Sequence, residues 1–367
     1  QERGMTPKTV LVVDDSALMR KLLTSILNSA DDLEVVGAAP DPFVAREMIK
    51  RLNPDVVTLD VEMPRMDGLA FLGKIMSLRP MPVVMISSLT QEAADVTLQA
   101  LELGAVDIVA KPTSDLAQTL SSMDNEIITK VRAAAGAIVR RVDPSAVKRK
   151  APVISTTDQL IAIGASTGGV AAIGQVLAEL PANAPAIAIV QHMPKEFTGN
   201  FARRLDQKLP LKVAEATDNQ RLLPGHVVIA PGDKHLEVLR SGGEFRCRLT
   251  DGPKVSGHRP SVDVLFQSVA EQVHDRAIGV ILTGMGRDGA EGLLKMREAG
   301  AVTIGQDEAT STVYGMCGAA FNIGAVQHQL PLSEIAKGIL SEVRMPQKQT
   351  GASARDRTPG RRDPARP

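Results

Sequence analysis

The sequence predicts an α/β protein made of two successive parallel-sheet domains, and three observations predict it. Short apolar runs recur along the chain, most of them ending in a polar residue. Helical patterns separate most of those runs. The alternation lapses once, between about residues 121 and 157, and then resumes. A length of 367 residues also suits two domains better than one.

In the first block, "TVLVVDD" reads as a buried strand ending in two acids. Leu18, Leu22, Leu23, Ile26 and Leu27 follow at helix spacing. "EVVGAA", "DVVTLDVEMP", "PVVMISS" and "DIVAKP" are the remaining strand candidates, with helices around 42–52, 68–77 and 92–103. Five buried strands joined by helices imply a parallel sheet covered on both faces, a doubly wound, flavodoxin-like domain over residues 8–122. Residues 123–156 read as a linker. There "NEIITKVRAAAGAIVRRV" carries a helical pattern, and "DPSAVKRKAPVISTT" adds Pro, Ser and a small basic cluster best read as solvated charge.

The second block spans residues 157–345, with strand candidates "LIAIGAS", "AIAIVQHM", "HVVIAP", "GVILTGM" and "AVTIGQ". Helical patterns between several of them point to a second parallel or mixed sheet. Residues 346–367, rich in Pro, Gly and Arg, lack large apolar side chains and are expected to be disordered.

Composition excludes several function classes. The chain is 44% hydrophobic and 23% charged, as suits a globular protein with a full core. With no Trp, one Tyr and seven Phe, it offers no aromatic platform for single-stranded nucleic acid. Lys plus Arg equal Asp plus Glu at 42 each, so no net field steers it to DNA or an anionic membrane. No helix-turn-helix or basic face follows the linker. Cys247 and Cys317 lack C-x-x-C spacing and read as free thiols in a reducing cytosol. No apolar run is long enough to span a bilayer, and the first residues carry no secretory pattern. A cytoplasmic location without membrane insertion is expected.

The first block gathers acids where its strands end: Asp14 and Asp15 after "VLVV", Asp60 after "VVTL". Ser87–Ser88 and Lys111-Pro112 end two further strands, and carboxyl ends in a parallel sheet converge on one edge. Clustered carboxylates call for a hard cation, Mg2+, beside which one of them could take a phosphoryl group. A lone Asp at such a place is ordinarily a helix cap, so the set carries the reading. This set resembles the receiver domain of two-component response regulators. The resemblance implies that Asp60 accepts phosphate from a histidine kinase and that Asp14, Asp15 and the Glu62 carbonyl join it around Mg2+. Lys111 and a serine, Ser87 by register, would bind the phosphate.

In the second block, "GASTGG" places Ser166 in a G-x-S-x-G turn straight after an apolar run. That turn can lift a nucleophilic serine above a sheet, and equally can cradle a phosphate. A serine needs a base, and His192 ends the next strand candidate. Asp288, in the glycine-rich loop after "GVILTGM", could orient that imidazole. The rival base is His258, with Asp263 as its partner. His226, His235, His274 and His328 read as surface or cap residues, and no zinc spacing is present. The order Ser, His, Asp differs from that of α/β-hydrolases, so that fold is not implied.

Taken together, "GASTGG", "QHMP", "HRPSVD" and "LTGMGRDGA" behind a receiver domain resemble the chemotaxis protein-glutamate methylesterase/protein-glutamine glutaminase family. The resemblance implies Ser166, His192 and Asp288 as catalytic residues, the Met285 N–H as an oxyanion donor and Thr167 as a residue shaping the site. It implies hydrolysis of glutamate γ-methyl esters, and in some members deamidation of glutamines, on the cytoplasmic helices of chemoreceptors. No cofactor is expected for the hydrolase, and a chemotaxis histidine kinase would be the phosphodonor. The alternative is a response regulator with a non-catalytic nucleotide-binding output domain, which would lack an acidic ribose clamp near 186–190.

Overall fold

The computed structural model describes residues 6–63, 67–88, 90–111, 120–139 and 158–343. The rest of the linker and the basic C-terminal stretch lie outside the described residues.

The first domain alternates β1 (Lys8–Val13), α1 (Ala17–Asn28), β2 (Leu33–Ala39), α2 (Pro42–Leu52), β3 (Val56–Asp60), α3 (Gly68–Leu78), β4 (Val83–Ser87), α4 (Gln91–Glu102), β5 (Asp107–Ala110) and α5 (Leu120–Ala135). Its sheet runs β2-β1-β3-β4-β5 with every pairing parallel. Helix starts follow local chemistry: the Asp41, Asp67 and Thr90 side chains accept first-turn N–H groups, and Pro42 opens α2. Helix α5 lies across the point where the linker was expected to begin. Its Ile127, Val131 and Ala134 are buried against Val10, Val12 and Val84, so this stretch belongs to the first domain's core. Its apolar spacing, rather than the neighbouring basic cluster, decides its place.

The second domain contains β6 (Leu160–Ala165), α6 (Gly169–Ala178), β7 (Ala186–Gln191), α7 (Lys195–Lys208), β8 (Lys212–Glu215) and β9 (His226–Ile229). The hairpin β10 (His235–Ser241) and β11 (Glu244–Thr250) follows, then α8 (Val262–Gln272) and β12 (Ala277–Ile281). Helix α9 (Ala290–Glu298), β13 (Val302–Gln306), α10 (Met316–Asn322), β14 (His328–Leu330) and α11 (Leu332–Glu342) complete it. The seven-stranded sheet is ordered β14-β13-β12-β6-β7-β9-β8 and is parallel throughout. Because β6 sits between β7 and β12, the carboxyl end of β6 opens at a topological switch point, where α/β sheets bind ligands.

The domains meet at that edge. The Val106 carbonyl, just before β5, accepts the Gly168 N–H at 3.1 Å. Glu102, at the end of α4, lies 2.7 Å from both Arg204 and Lys208 of α7.

Candidate active site and acidic pocket

In the first domain the β1 and β3 runs deliver Asp14 and Asp60, both fully buried, and exposed Asp15 to one pocket. Their carboxylate oxygens lie within 4.8 Å of one another. Arg20 ties this corner down by donating to the Asp14 and Asp15 carbonyls. Only glycine suits position 68, where a Cβ would lie 2.1 Å from the Asp60 carbonyl oxygen. Lys111 Nζ stands 2.7 Å from Asp60 Oδ2 and 3.7 Å from Asp14 Oδ2. Ser87 is buried at the end of β4, its hydroxyl receiving the Thr97 hydroxyl at 2.8 Å.

Burial pushes the Asp60 carboxyl up to about 6, although Lys111 and the Glu62 N–H pull the other way. Burial raises Asp14 as well. Asp14 Oδ2 is buried without a hydrogen-bond partner. One ammonium facing three carboxylates undercompensates them, and this oxygen-only set with an orphaned oxygen fits a small hard divalent cation.

In the second domain Ser166 follows β6 directly. Its N–H donates to the Thr283 carbonyl at 3.0 Å, and its carbonyl accepts Gly169 N–H at 2.8 Å. Gln191 Nε2 also donates to that carbonyl, at 2.9 Å. Space here demands glycines. Gly168 has φ +79°, and a Cβ on Gly284 would stand 2.8 Å from Ser166 Cβ. Thr167 is buried, and its hydroxyl donates to Asp107 of the first domain at 2.5 Å. Met285, half-buried, follows Gly284 in the loop after β12.

His192 follows β7 directly, its N–H fixed to the Ala165 carbonyl at 3.1 Å. Its Nε2 lies 2.7 Å from Asp288 Oδ2. Asp288 is 1% exposed yet richly solvated by protein. It accepts the Ser261 hydroxyl at 2.7 Å and the Val262 and Asp263 N–H groups at 2.8 and 3.1 Å. Burial alone would raise this carboxyl, but His192, Ser261 and the Val262 N–H outweigh it and hold Asp288 at about 2. An ionised carboxylate only accepts, so His192 Nε2 carries a proton in this pair, and Nδ1 is the other ring nitrogen. Nδ1 is buried and has no hydrogen-bond partner, so no bond to Ser166 is made in this state.

The structure thus brings Ser166, His192 and Asp288 to adjacent strand ends. It separates the rival pair: Asp263 accepts the Gly292 N–H at 2.7 Å, while the His258 ring stacks on His192. His226, His274 and His328 are exposed, as expected. His235 is not: it is 2% exposed, accepting the Ser261 N–H at Nδ1 and facing the Pro253 carbonyl through Nε2. The hairpin β10–β11, unread in the sequence, buries it. Ser261 escaped notice too. It caps α8 and is 0% exposed, so it serves Asp288 rather than substrate. Its signal was present in "PSVD", a serine cap with an acid in the first turn. Burial pushes both cysteine thiols up to about 12, which disqualifies them as nucleophiles.

Ser166 and His192 face a cleft walled on the far side by Leu101, Val106 and Asp107 of the first domain. About 20 Å3 of room remains, enough for one water but not for an ester-bearing side chain.

A phosphate-type acidic pocket on one parallel sheet and a Ser, His, Asp edge on another define a class, the response regulator with a hydrolase output domain. Residues 10–121 match the response regulator receiver domain family and residues 161–339 the CheB methylesterase family. The chain is 54% identical, over 92% of its length and 97% of the relative's, to protein-glutamate methylesterase/protein-glutamine glutaminase 1 of Xanthomonas euvesicatoria pv. vesicatoria. It is 53% identical to the corresponding enzyme of Salmonella typhimurium, covering 92% of this chain and 98% of that one. The crystal structure of the Thermotoga maritima CheB methylesterase catalytic domain covers 51% of the chain and is itself covered completely, at 37% identity and a TM-score of 0.50. The chain belongs to the CheB methylesterase family. No helix among the described residues is long and apolar enough to cross a membrane.

Proposed function

We propose that the chain hydrolyses glutamate γ-methyl esters, and deamidates glutamines, on the cytoplasmic helices of chemoreceptors, with Ser166 as nucleophile. The carrying observation is the 2.7 Å His192–Asp288 pair, with Nδ1 unpartnered and with His192 and Ser166 lining the same cleft. Ser166 Oγ attacks the ester carbonyl as its proton passes to His192 Nδ1. Asp288 stays ionised and stabilises the resulting imidazolium. The Met285 N–H is the oxyanion donor, a contribution of about 3–4 kcal/mol for such groups. The imidazolium returns its proton to methoxide, methanol leaves, and water repeats the sequence on the acyl-serine to give glutamate. With an amide, ammonia leaves instead.

The alternative of a phosphate-binding turn is disfavoured because two N–H groups at the entry to α6 are already engaged. Gly168 donates to Val106 and Gly169 to Ser166.

In the first domain Asp60 is the phosphoryl acceptor, with a chemotaxis histidine kinase as donor. Asp14, Asp15, Asp60 and the Glu62 carbonyl would hold Mg2+, which supplies charge neutralisation to the transferring phosphoryl group. Ser87 and Lys111 would bind the phosphate oxygens. Lys111 now pairs with Asp60, so phosphate there redraws the edge that carries β5. Since β5 and its preceding loop wall the Ser166 cleft, this coupling supports phosphorylation as the event that opens it. A methyl-ester substrate of this kind sets the protein in the cytoplasm.

Methanol release from methylated receptor membranes, with acetyl phosphate as donor, tests the proposal. Ser166→Ala should abolish release; release at the unsubstituted rate would remove Ser166 as nucleophile.

A further inference from the structure

We propose that His258 is a positioning residue for the base, holding the plane of the His192 imidazole so that Nδ1 meets the serine proton; this rests on the hydrolase reading above. One hydrogen bond, Nε2 to Asp288, fixes a single point of the His192 ring. A ring held at one point still tilts about that contact, and Nδ1 has no partner to resist. What restrains the tilt is His258, whose ring lies 3.7 Å away, centroid to centroid, and 9° from parallel. Flat rings in contact resist tilting because tilt separates or overlaps their faces.

The loop that presents His258 is itself rigidly built. Val255 and His258 exchange both backbone hydrogen bonds, at 3.0 and 2.9 Å, around Ser256 and Gly257. These have φ +51° and +81°, the backbone of a two-residue hairpin turn. Arg259 then clasps the Asp251 and Gly252 carbonyls. The same segment ends at Ser261 and Val262, which hold Asp288. One loop therefore braces both the base and the acid that orients it.

Chemistry explains why the brace does not compete as a base. Among the described residues no carboxylate forms an ion pair with His258, whereas His192 has Asp288 at 2.7 Å. Burial first, and then the neighbouring His192, push the His258 imidazole down to about 4. It is thus a neutral, polarisable face when His192 takes up the serine proton. Two stacked imidazolium rings would repel, so the pair accepts one proton, and Asp288 directs it to His192.

The test compares His258→Ala, His258→Phe and His192→Ala in the full chain, with acetyl phosphate and methylated receptor membranes. His258→Ala should lose about tenfold in kcat with KM unchanged, because geometry at the reacting atoms is relaxed while receptor binding is not. His258→Phe, restoring a flat ring without a titratable nitrogen, should recover at least half of the wild-type kcat. Melting curves establish that each variant is folded. Equal loss in the Ala and Phe variants would overturn the proposal by making a ring nitrogen essential, and an unchanged kcat in His258→Ala would overturn it by making the stack dispensable. A fully active His192→Ala would instead remove the hydrolase reading beneath it.

Discussion

Glu102→Gln should release the enzyme from its resting state. Glu102 leaves α4 to meet two cations of α7, Arg204 and Lys208, each at 2.7 Å. Its side chain is 27% exposed, against 18% for Arg204 and 52% for Lys208. A hydrogen bond to a charged group in a buried setting is worth about 1.5–3 kcal/mol, and an exposed ion pair about 0.2–1. This pair of contacts lies between those limits, and the neutral amide keeps part of it, so the closed arrangement should lose about 1–2 kcal/mol. That is about a 5- to 30-fold shift in the open-to-closed ratio. The assay is methanol release from methylated receptor membranes without phosphodonor, then with saturating acetyl phosphate. The basal rate should rise by about that factor and the phosphorylated rate should stay put, since Glu102 is not among the residues lining the Ser166 cleft. An unchanged basal rate would refute the idea that this contact holds the domains closed. A parallel change in both rates would show that Glu102 acts on chemistry.

Three further outcomes are expected. Asp288→Asn, which removes the anion fixing the His192 tautomer, should cost about 10^3–10^4 in kcat while leaving receptor binding intact, measured by steady-state methanol release. Gly284→Ala should press on Ser166 Cβ, 2.8 Å away, lowering both kcat and the melting temperature, as overpacking by about 1–3 kcal/mol does. Finally, the acidic pocket should make metal stabilisation pH-dependent. With a folded value near 6 against 3.8 unfolded, Asp60 stabilises the metal-free fold below the unfolded value and loses that contribution as pH rises through about 6. Mg2+ should therefore raise the melting temperature more at pH 8 than at pH 5.5, and an equal shift at both would count against Asp60 as a ligand.

Much of this was legible because each motif sits at the end of a short apolar run. "VLVVDD", "VVTLD" and "AIAIVQH" carry their strands and their chemistry in the same few letters. What was hidden depends on meetings between distant segments. Ser261 and His235 look like ordinary polar residues until the cap of α8 sets Ser261 against Asp288 and the hairpin β10–β11 brings His235 to the Ser261 N–H. His258 resembled a second base because the sequence offers Asp263 nearby, yet Asp263 turns to Gly292 and the ring turns to His192. The helical pattern of α5 was legible, but the basic residues after it obscured its place in the first domain, although Ile127, Val131 and Ala134 already mark an apolar face. The closure of Val106 and Asp107 over Thr167 and Gly168 has no local signature, since it joins two domains.

The central claim is that Ser166, and not the buried serine that also belongs to the Asp288 network, forms the covalent intermediate. A fluorophosphonate probe applied to the acetyl-phosphate-treated chain, followed by peptide mass spectrometry, tests it most directly. A single adduct on Ser166 that His192→Ala suppresses is expected; an adduct on Ser261, or undiminished labelling of Ser166 in that variant, would contradict Ser166 as the nucleophile.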